Sequence, residues 1–259
     1  MKDRKYILHM ASPTENVSPF DVNMAYDAGF DVVVGYSNID VSNVRPLVQD
    51  AIFSRSVKDA SKTGLFIGGK DLIGALDMLD VAKAAMVPPF EISVFPDPAG
   101  SFTTGAAMVA CAERTLDKQF NAKMADMNVV IYGGKGIVGG VCGILCAQAG
   151  AKVTLVGYDG VDNVAQKAKE YKKRFGCDTI PADGSSEDKN TALLKDADVV
   201  FCAARAGTQV LSLQQMKTAS VKVKTQYAMF QRMCQSTEPL YLDFQHAADI
   251  ARSLVSGKT

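Results

Sequence analysis

Short apolar runs alternate with longer stretches in which apolar residues return at helical spacing. Tyr6 to Met10, Val32 to Gly35, Leu65 to Gly68 and Ile92 to Phe95 are the short runs of the first part. Val41 to Ser54 and Leu72 to Met86 carry the helical spacing between them. That alternation predicts a parallel α/β sheet. Pro88-Pro89 stops the second helix ahead of the fourth strand. Phe95 to Ser101 is a loop by its proline and glycine content, and Thr103 to Leu116 predicts a long alanine-rich helix bridging to a second lobe.

The pattern then repeats. Strands are expected at Met127 to Tyr132, Lys152 to Val156, Thr179 to Pro181 and Val199 to Ala203. Helices are expected at Gly140 to Ala149, Asn163 to Phe175, Thr191 to Asp196 and Leu211 to Ala219, with a polar loop over Asp183 to Asn190. The lysines of Asn163 to Phe175 form a solvated outer face, tempered by Glu170. Val221-Lys222-Val223-Lys224 alternates as a strand does, a long helical pattern runs on through Cys234, and Phe244 to Leu254 predicts a closing helix.

Between the strand ending at Tyr132 and the next helix stands Gly134-Lys135-Gly136-Ile137-Val138-Gly139. Strand, glycine turn, helix and strand in that order frame a dinucleotide site. Gly134 permits the turn, Gly136 lets backbone approach a pyrophosphate, and Gly139 lets the helix lie close to the sheet. Amides at the helix start, among them those of Ile137 and Val138, face the phosphates.

Composition narrows the field. The chain has 259 residues, 47% hydrophobic and 22% charged, with 28 basic residues balanced by 28 acidic ones. That describes one large or two medium folded domains, with no pull toward nucleic acid or an anionic membrane. No apolar stretch is long enough to span a bilayer, and Tyr6 to Met10 is too short for a signal segment, so a cytoplasmic protein is expected. The six cysteines lack metal-pair spacing and the two histidines, His9 and His246, stand far apart, so neither a disulfide framework nor a metal site is expected.

Pro19-Phe20-Asp21, Val34-Gly35-Tyr36, Ile67-Gly68-Gly69, Asp97, Gly100-Ser101, Thr103-Thr104 and the Gly134 to Gly139 turn together resemble the bacterial NAD(P)-dependent methylene-tetrahydromethanopterin dehydrogenases, some of which also act on methylene-tetrahydrofolate. The resemblance runs over most of residues 6 to 220 and again over 221 to 255. It implies an α/β protein of two lobes. A parallel α/β pterin-side domain would comprise 1–113 and 221–259. A Rossmann-like NAD(P)-binding domain, 114–220, would be inserted within it. It also implies a homo-oligomer, and hydride transfer from the methylene carbon bridging N5 and N10 to NAD or NADP. The pterin nitrogens stabilise the cation that remains, so catalysis would rest on placement and exclusion of water. Two departures stand out. The chain has Gly157-Tyr158-Asp159 where an NADP-preferring member has Gly-Arg, and it lacks a late Rossmann stretch between Ser220 and Val221.

The resemblance carries over residue by residue. Phe20, Asp21, Gly69, Asp97, Ser101, Thr103 and Thr104 would meet the pterin. Phe20 and Asp21 are otherwise a core side chain and a helix cap, Asp97 otherwise caps the local turn at Asp97-Pro98, and Thr103 and Thr104 otherwise cap the following helix. Lys222 is the expected catalytic residue, by orienting the pterin, unless it is an outward lysine of the Val-Lys-Val-Lys stretch. The dinucleotide would meet Gly134 to Gly139, Tyr158, Asp159, and Ala203, Ala204 and Arg205 at the end of the Val199 strand. Asp159 either accepts ribose hydroxyls, favouring NAD, or is a solvated turn residue. Lys135 lies against the pyrophosphate or points to solvent. The rival reading is a non-catalytic or regulatory homologue. A 2-hydroxy acid or sugar dehydrogenase fits worse, for want of a cleft histidine.

Overall fold

The computed structural model describes residues 4–205, 209–218, 223–226 and Arg252. Lys222, His246 and the join at Ser220-Val221 lie outside the described residues. The described residues divide into two compact units, one up to Phe102 and the other from Thr103 onward.

The first unit runs β1 (Ile7–Ala11), α1 (Pro19–Asp27), β2 (Val32–Tyr36), α2 (Val44–Phe53), β3 (Thr63–Ile67), α3 (Leu72–Ala85) and β4 (Ser93–Pro96). All its strands are parallel, in the order β2-β1-β3-β4. The chain leaves β1 in one direction to β2 and returns across it to β3, so the strand order reverses between β1 and β3. Leu8 and Met10 of β1 pack with Ala25 of α1, against Val17, Val22, Phe30 and Phe66. Val44, Val48, Ala51 and Ile52 bury the inner side of α2, which lies against α3. Asp71 starts α3 by accepting the Gly74 N–H at 2.6 Å. His9 is tied to its neighbour strand, its Nδ1 3.0 Å from the Tyr36 hydroxyl, and burial followed by Arg55 lowers its pKa.

Helix α1 is not among the predicted helices; the alternative reading of Asp21 as a helix cap is the one hint of it, and Asp21 lies inside its first turn. Its apolar residues form no single stripe, and only Asp21 and Ala25 are fully buried. The signal it does carry is Ser18-Pro19, proline at the first helical position, where its missing N–H is not needed.

The second unit contains α4 (Ser101–Thr115), which starts just before the division, then β5 (Asn128–Tyr132), α5 (Ile137–Gln148), β6 (Lys152–Gly157), α6 (Asp162–Phe175), β7 (Ile180–Asp183), α7 (Glu187–Leu193), β8 (Val199–Cys202), α8 (Leu213–Thr218) and β9 (Val223–Gln226). Its strands are also all parallel, in the order β7-β6-β5-β8-β9. Here the order reverses between β5 and β8. The division at Phe102 leaves most of α4 with the second sheet, whereas the sequence boundary lies at 113. Residues 223–226 extend that second sheet beside β8.

One expectation is corrected. Asp183 to Asn190 is not all loop, because α7 begins at Glu187. Ser186 caps it by accepting the Lys189 N–H at 3.3 Å, and Glu187 and Asp188 sit in its first turn, where acidic groups oppose the helix dipole.

Tyr132 ends the central strand of this sheet, fully buried, and its hydroxyl donates to the Asn190 carbonyl of α7 at 3.0 Å. Burial raises its pKa, so it stays a neutral donor. Tyr132→Phe leaves that carbonyl without its donor and is expected to cost about 1–2 kcal/mol. Urea unfolding of both proteins checks this; an unchanged midpoint removes the hydroxyl from the stabilising set.

Candidate functional site

In an open parallel sheet, ligands settle outside the carboxyl ends of the strands where the strand order reverses. Both units have such a place, and several of the residues singled out from sequence lie there.

In the second unit the chain turns from β5 into α5 through Gly133 to Gly136. The left-handed backbone lies at Gly133, φ +83°, and not at Gly134 as the motif suggested. A Cβ on Gly133 would stand 2.7 Å from the Ala203 carbonyl, so this turn lies directly against the end of β8. Gly134 lies against Leu155 of β6, and its N–H donates to the Val156 carbonyl at 3.2 Å. Gly136 precedes α5 and donates to the Gly133 carbonyl at 2.9 Å. The first bond within α5 runs from the Gly140 N–H to the Gly136 carbonyl. The amides of Ile137, Val138 and Gly139 therefore stand ahead of the helical ladder, as donors for an anion. A Cβ on Gly139 would meet the Gly133 carbonyl oxygen at 2.4 Å, so helix and turn are in backbone contact. A narrow turn, donor amides and a helix dipole form a cradle that fits a dinucleotide pyrophosphate.

The loop after β6 supplies the next part. Lys135 reaches from the turn across to Asp159, forming an ion pair, and its ammonium lies over the Tyr158 ring, 4.6 Å from the centroid. Asp159 also accepts the Asn163 amide at 3.0 Å. The Lys135 and Asn163 contacts lower the carboxyl pKa, Lys135 leading, and Asp159 in turn raises that of Lys135. Lys135 is thus aimed at Asp159. Ala203 donates its N–H to the Tyr132 carbonyl at 2.9 Å, and Ala204 and Arg205 follow it, with Arg205 exposed.

In the first unit, Asp21 on α1 lies beside Gly68, whose added Cβ would stand 3.5 Å from its Oδ2. Asp21 is 8% exposed, and its carboxyl makes no hydrogen bond or ion pair among the described residues. Burial alone pushes its pKa up to about 6. Gly69 follows with φ +107°, against Pro13 of the loop after β1. Asp21, Gly68 and Gly69 therefore meet at the reversal between β1 and β3. Phe20 is 53% exposed at the start of α1. Asp97 is buried and accepts the Phe102 N–H at 2.7 Å, tying the loop after β4 to the start of α4. Ser101, Thr103 and Thr104 are buried in the first turn of α4.

Sequence reading overlooked Gly133, because the glycine pattern is legible from Gly134 onward. It also overlooked the loop after β1, where the Ser12 and Thr14 hydroxyls are 2.7 Å apart beside Gly69's partner Pro13. Three hydroxyl or turn residues after an apolar strand, Ser12-Pro13-Thr14, were the available signal.

Residues 19–99 match the family profile described as methylene-tetrahydromethanopterin dehydrogenase, N-terminal. The chain is similar to the NAD(P)-dependent methylenetetrahydromethanopterin dehydrogenase of Methylorubrum extorquens, at 40% identity over 95% of this chain and 97% of that one. That alignment spans 288 positions, more than this chain possesses, so the relative carries residues that are absent here. It is also similar to the bifunctional protein MdtA of the same organism, 31% identical over 80% of this chain and 70% of that one. Among solved structures, the malic enzyme of Entamoeba histolytica shares the fold, with a TM-score of 0.54 and 14% identity over 85% of this chain and 53% of that one.

Proposed function

Since this chain belongs to the NAD(P)-dependent methylene-tetrahydromethanopterin dehydrogenase family, we propose a division of labour among its residues for the family reaction. The chain is an oxidoreductase. Hydride leaves the methylene carbon of methylene-tetrahydromethanopterin, giving the methenyl form, and NAD or NADP accepts it. No finding favours the non-catalytic alternative.

The observation that carries the residue assignment is the Asp21 carboxyl, desolvated beside Gly68 at the strand reversal. Loss of hydride turns a neutral centre into an amidinium-like cation. A carboxylate in a low-dielectric setting, with no cation of its own among the described residues, stabilises that charge as it develops. Asp21 is ionised above about pH 6 and so has the needed charge at neutral pH. Phe20 offers an exposed aromatic face to the pterin ring. Gly69 keeps the approach clear. Asp97 fixes the start of α4, and Ser101, Thr103 and Thr104 shape its first turn instead of reaching into solvent. Lys222, outside the described residues, keeps its proposed role of orienting the pterin.

The dinucleotide, when bound, supplies the hydride acceptor. The amides of Ile137, Val138 and Gly139 would hold its pyrophosphate, the loop at Tyr158-Asp159 its adenosine ribose, and Ala203 to Arg205 would line its path past β8. We further propose a cytoplasmic homo-oligomer, a reading supported by the family resemblance. No described helix is long and apolar enough to cross a membrane.

The test offers methylene-tetrahydromethanopterin and methylene-tetrahydrofolate with NAD and with NADP, following reduced nicotinamide in all four combinations. Turnover of the methanopterin substrate is expected. Dinucleotide binding without turnover of either pterin would favour the regulatory homologue.

A further inference from the structure

The Lys135–Asp159 pair changes what the carboxylate after β6 means. Asp159 follows Gly139 at the spacing, about 20 residues, where an acidic side chain contacts the adenosine ribose in this fold class. An isolated carboxylate there accepts the ribose hydroxyls of NAD and repels the 2′-phosphate of NADP. Here it is not isolated. Lys135 spans from the glycine turn to it, and both the Lys135 and Asn163 bonds fall on one oxygen, Oδ2. The other oxygen, Oδ1, takes part in neither.

We propose that Lys135 and Asp159 act together as a two-way selector at the ribose 2′ position, which lets this chain take both NAD and NADP. The proposal rests on the reading of the Gly133 to Gly139 turn as the dinucleotide cradle. With NAD, Lys135 stays on Oδ2 and the ribose hydroxyl donates to Oδ1. With NADP, the ammonium leaves the carboxylate for the 2′-phosphate. Three properties of Lys135 suit the exchange. Its stem is flexible and its ammonium carries three donors with no fixed plane. Its ammonium lies over the exposed Tyr158 ring, which holds a cation in either position. The pair is accessible to a ligand, with the lysine and aspartate side chains 32% and 28% exposed. While it forms, the local charge sums to zero, so an arriving phosphate meets no net repulsion. Asn163 stays as a neutral donor to Asp159 once the lysine has moved.

Binding of NAD and NADP to the full-length chain, measured by titration calorimetry without pterin, tests this. Adenosine 2′,5′-bisphosphate and AMP serve as probes of the ribose end alone. Lys135→Met is expected to weaken NADP and the bisphosphate by at least about tenfold while changing NAD and AMP less than about threefold. Asp159→Asn is expected to do the reverse, tightening NADP and weakening NAD. An equal loss of NAD and NADP in Lys135→Met would put the lysine on the pyrophosphate and overturn the selector. So would no change in either. If the unaltered chain binds neither dinucleotide, the cradle itself is misassigned, an outcome distinct from all of these.

Discussion

Gly139→Ala is expected to raise the dissociation constants of NAD and NADP alike by about two orders of magnitude, with kcat/KM falling in step. The added Cβ would lie 2.4 Å from the Gly133 carbonyl oxygen and 2.9 Å from its carbon. Both are backbone atoms and have no rotamer to change. Ordinary contact requires α5 to draw back from the turn by roughly 1 Å, a displacement that alone can cost about a hundredfold in rate. The amides of Ile137 and Val138 move with the helix, away from where the pyrophosphate must lie. Gly136→Ala is the informative contrast. Its Cβ has one neighbour, the Gly133 carbonyl oxygen at 3.2 Å, so the folded state has more room for it. Thermal melts separate the two effects: Gly139→Ala lowers Tm, and Gly136→Ala lowers it less while still hindering the ligand. Native dinucleotide affinity in Gly139→Ala would show that α5 does not carry the phosphates.

Asp21→Asn is expected to slow pterin oxidation by about ten- to a hundredfold and, at the same time, to stabilise the protein. The signs follow from one number. The folded-state pKa of Asp21 is about 6, raised by burial from the ordinary 3.8. The folded protein therefore holds this proton more tightly than the unfolded chain does. As pH rises from about 4 to 6, ionisation of Asp21 takes stability away, and above pH 6 the full penalty of about 2–3 kcal/mol is present. Asparagine removes that penalty, so the variant gains at pH 7.5 and loses its advantage as pH falls toward 4. Catalysis runs the other way. In the unaltered enzyme, kcat/KM rises with pH through an inflection near 6, as the carboxylate that stabilises the pterin cation forms. In Asp21→Asn that limb disappears. Melts and rate profiles between pH 4.5 and 8 check both halves. Persistence of the limb in the variant would assign it to another group.

The fold was legible because each strand is a short apolar run with helical spacing between runs, and two parallel sheets follow from that. Strand ends moved by a residue or two, as at Thr63–Ile67, where backbone pairing with β1 starts at Thr63 and Gly64, ahead of the apolar run that marks the strand in sequence. Helix α1 was hidden since Phe20, Met24 and Tyr26 stay exposed and give no stripe. The glycine turn was legible as a motif, yet its left-handed residue is one position earlier, because Gly133 and Gly134 stand side by side and the residue pattern does not tell which of two glycines takes the positive φ. At the pterin side, sequence could name Asp21 and Asp97 but not tell them apart. Their partners do: the Asp97 carboxylate accepts an amide, and the Asp21 carboxyl makes no bond among the described residues. The reach of Lys135 to Asp159 crosses 24 positions of sequence, a distance at which no local spacing rule operates.

The turn ahead of α5 is closed by backbone before any ligand arrives. The Gly136 N–H meets the Gly133 carbonyl, the Gly134 N–H meets Val156, and Gly133 abuts Ala203. This turn does not have to fold around a phosphate. If the turn is the dinucleotide cradle proposed above, association is expected to be set by diffusion and collision geometry, with the residence time of each dinucleotide carrying the differences between them. In a stopped-flow experiment NAD and NADP should arrive at similar rates and part company only on leaving.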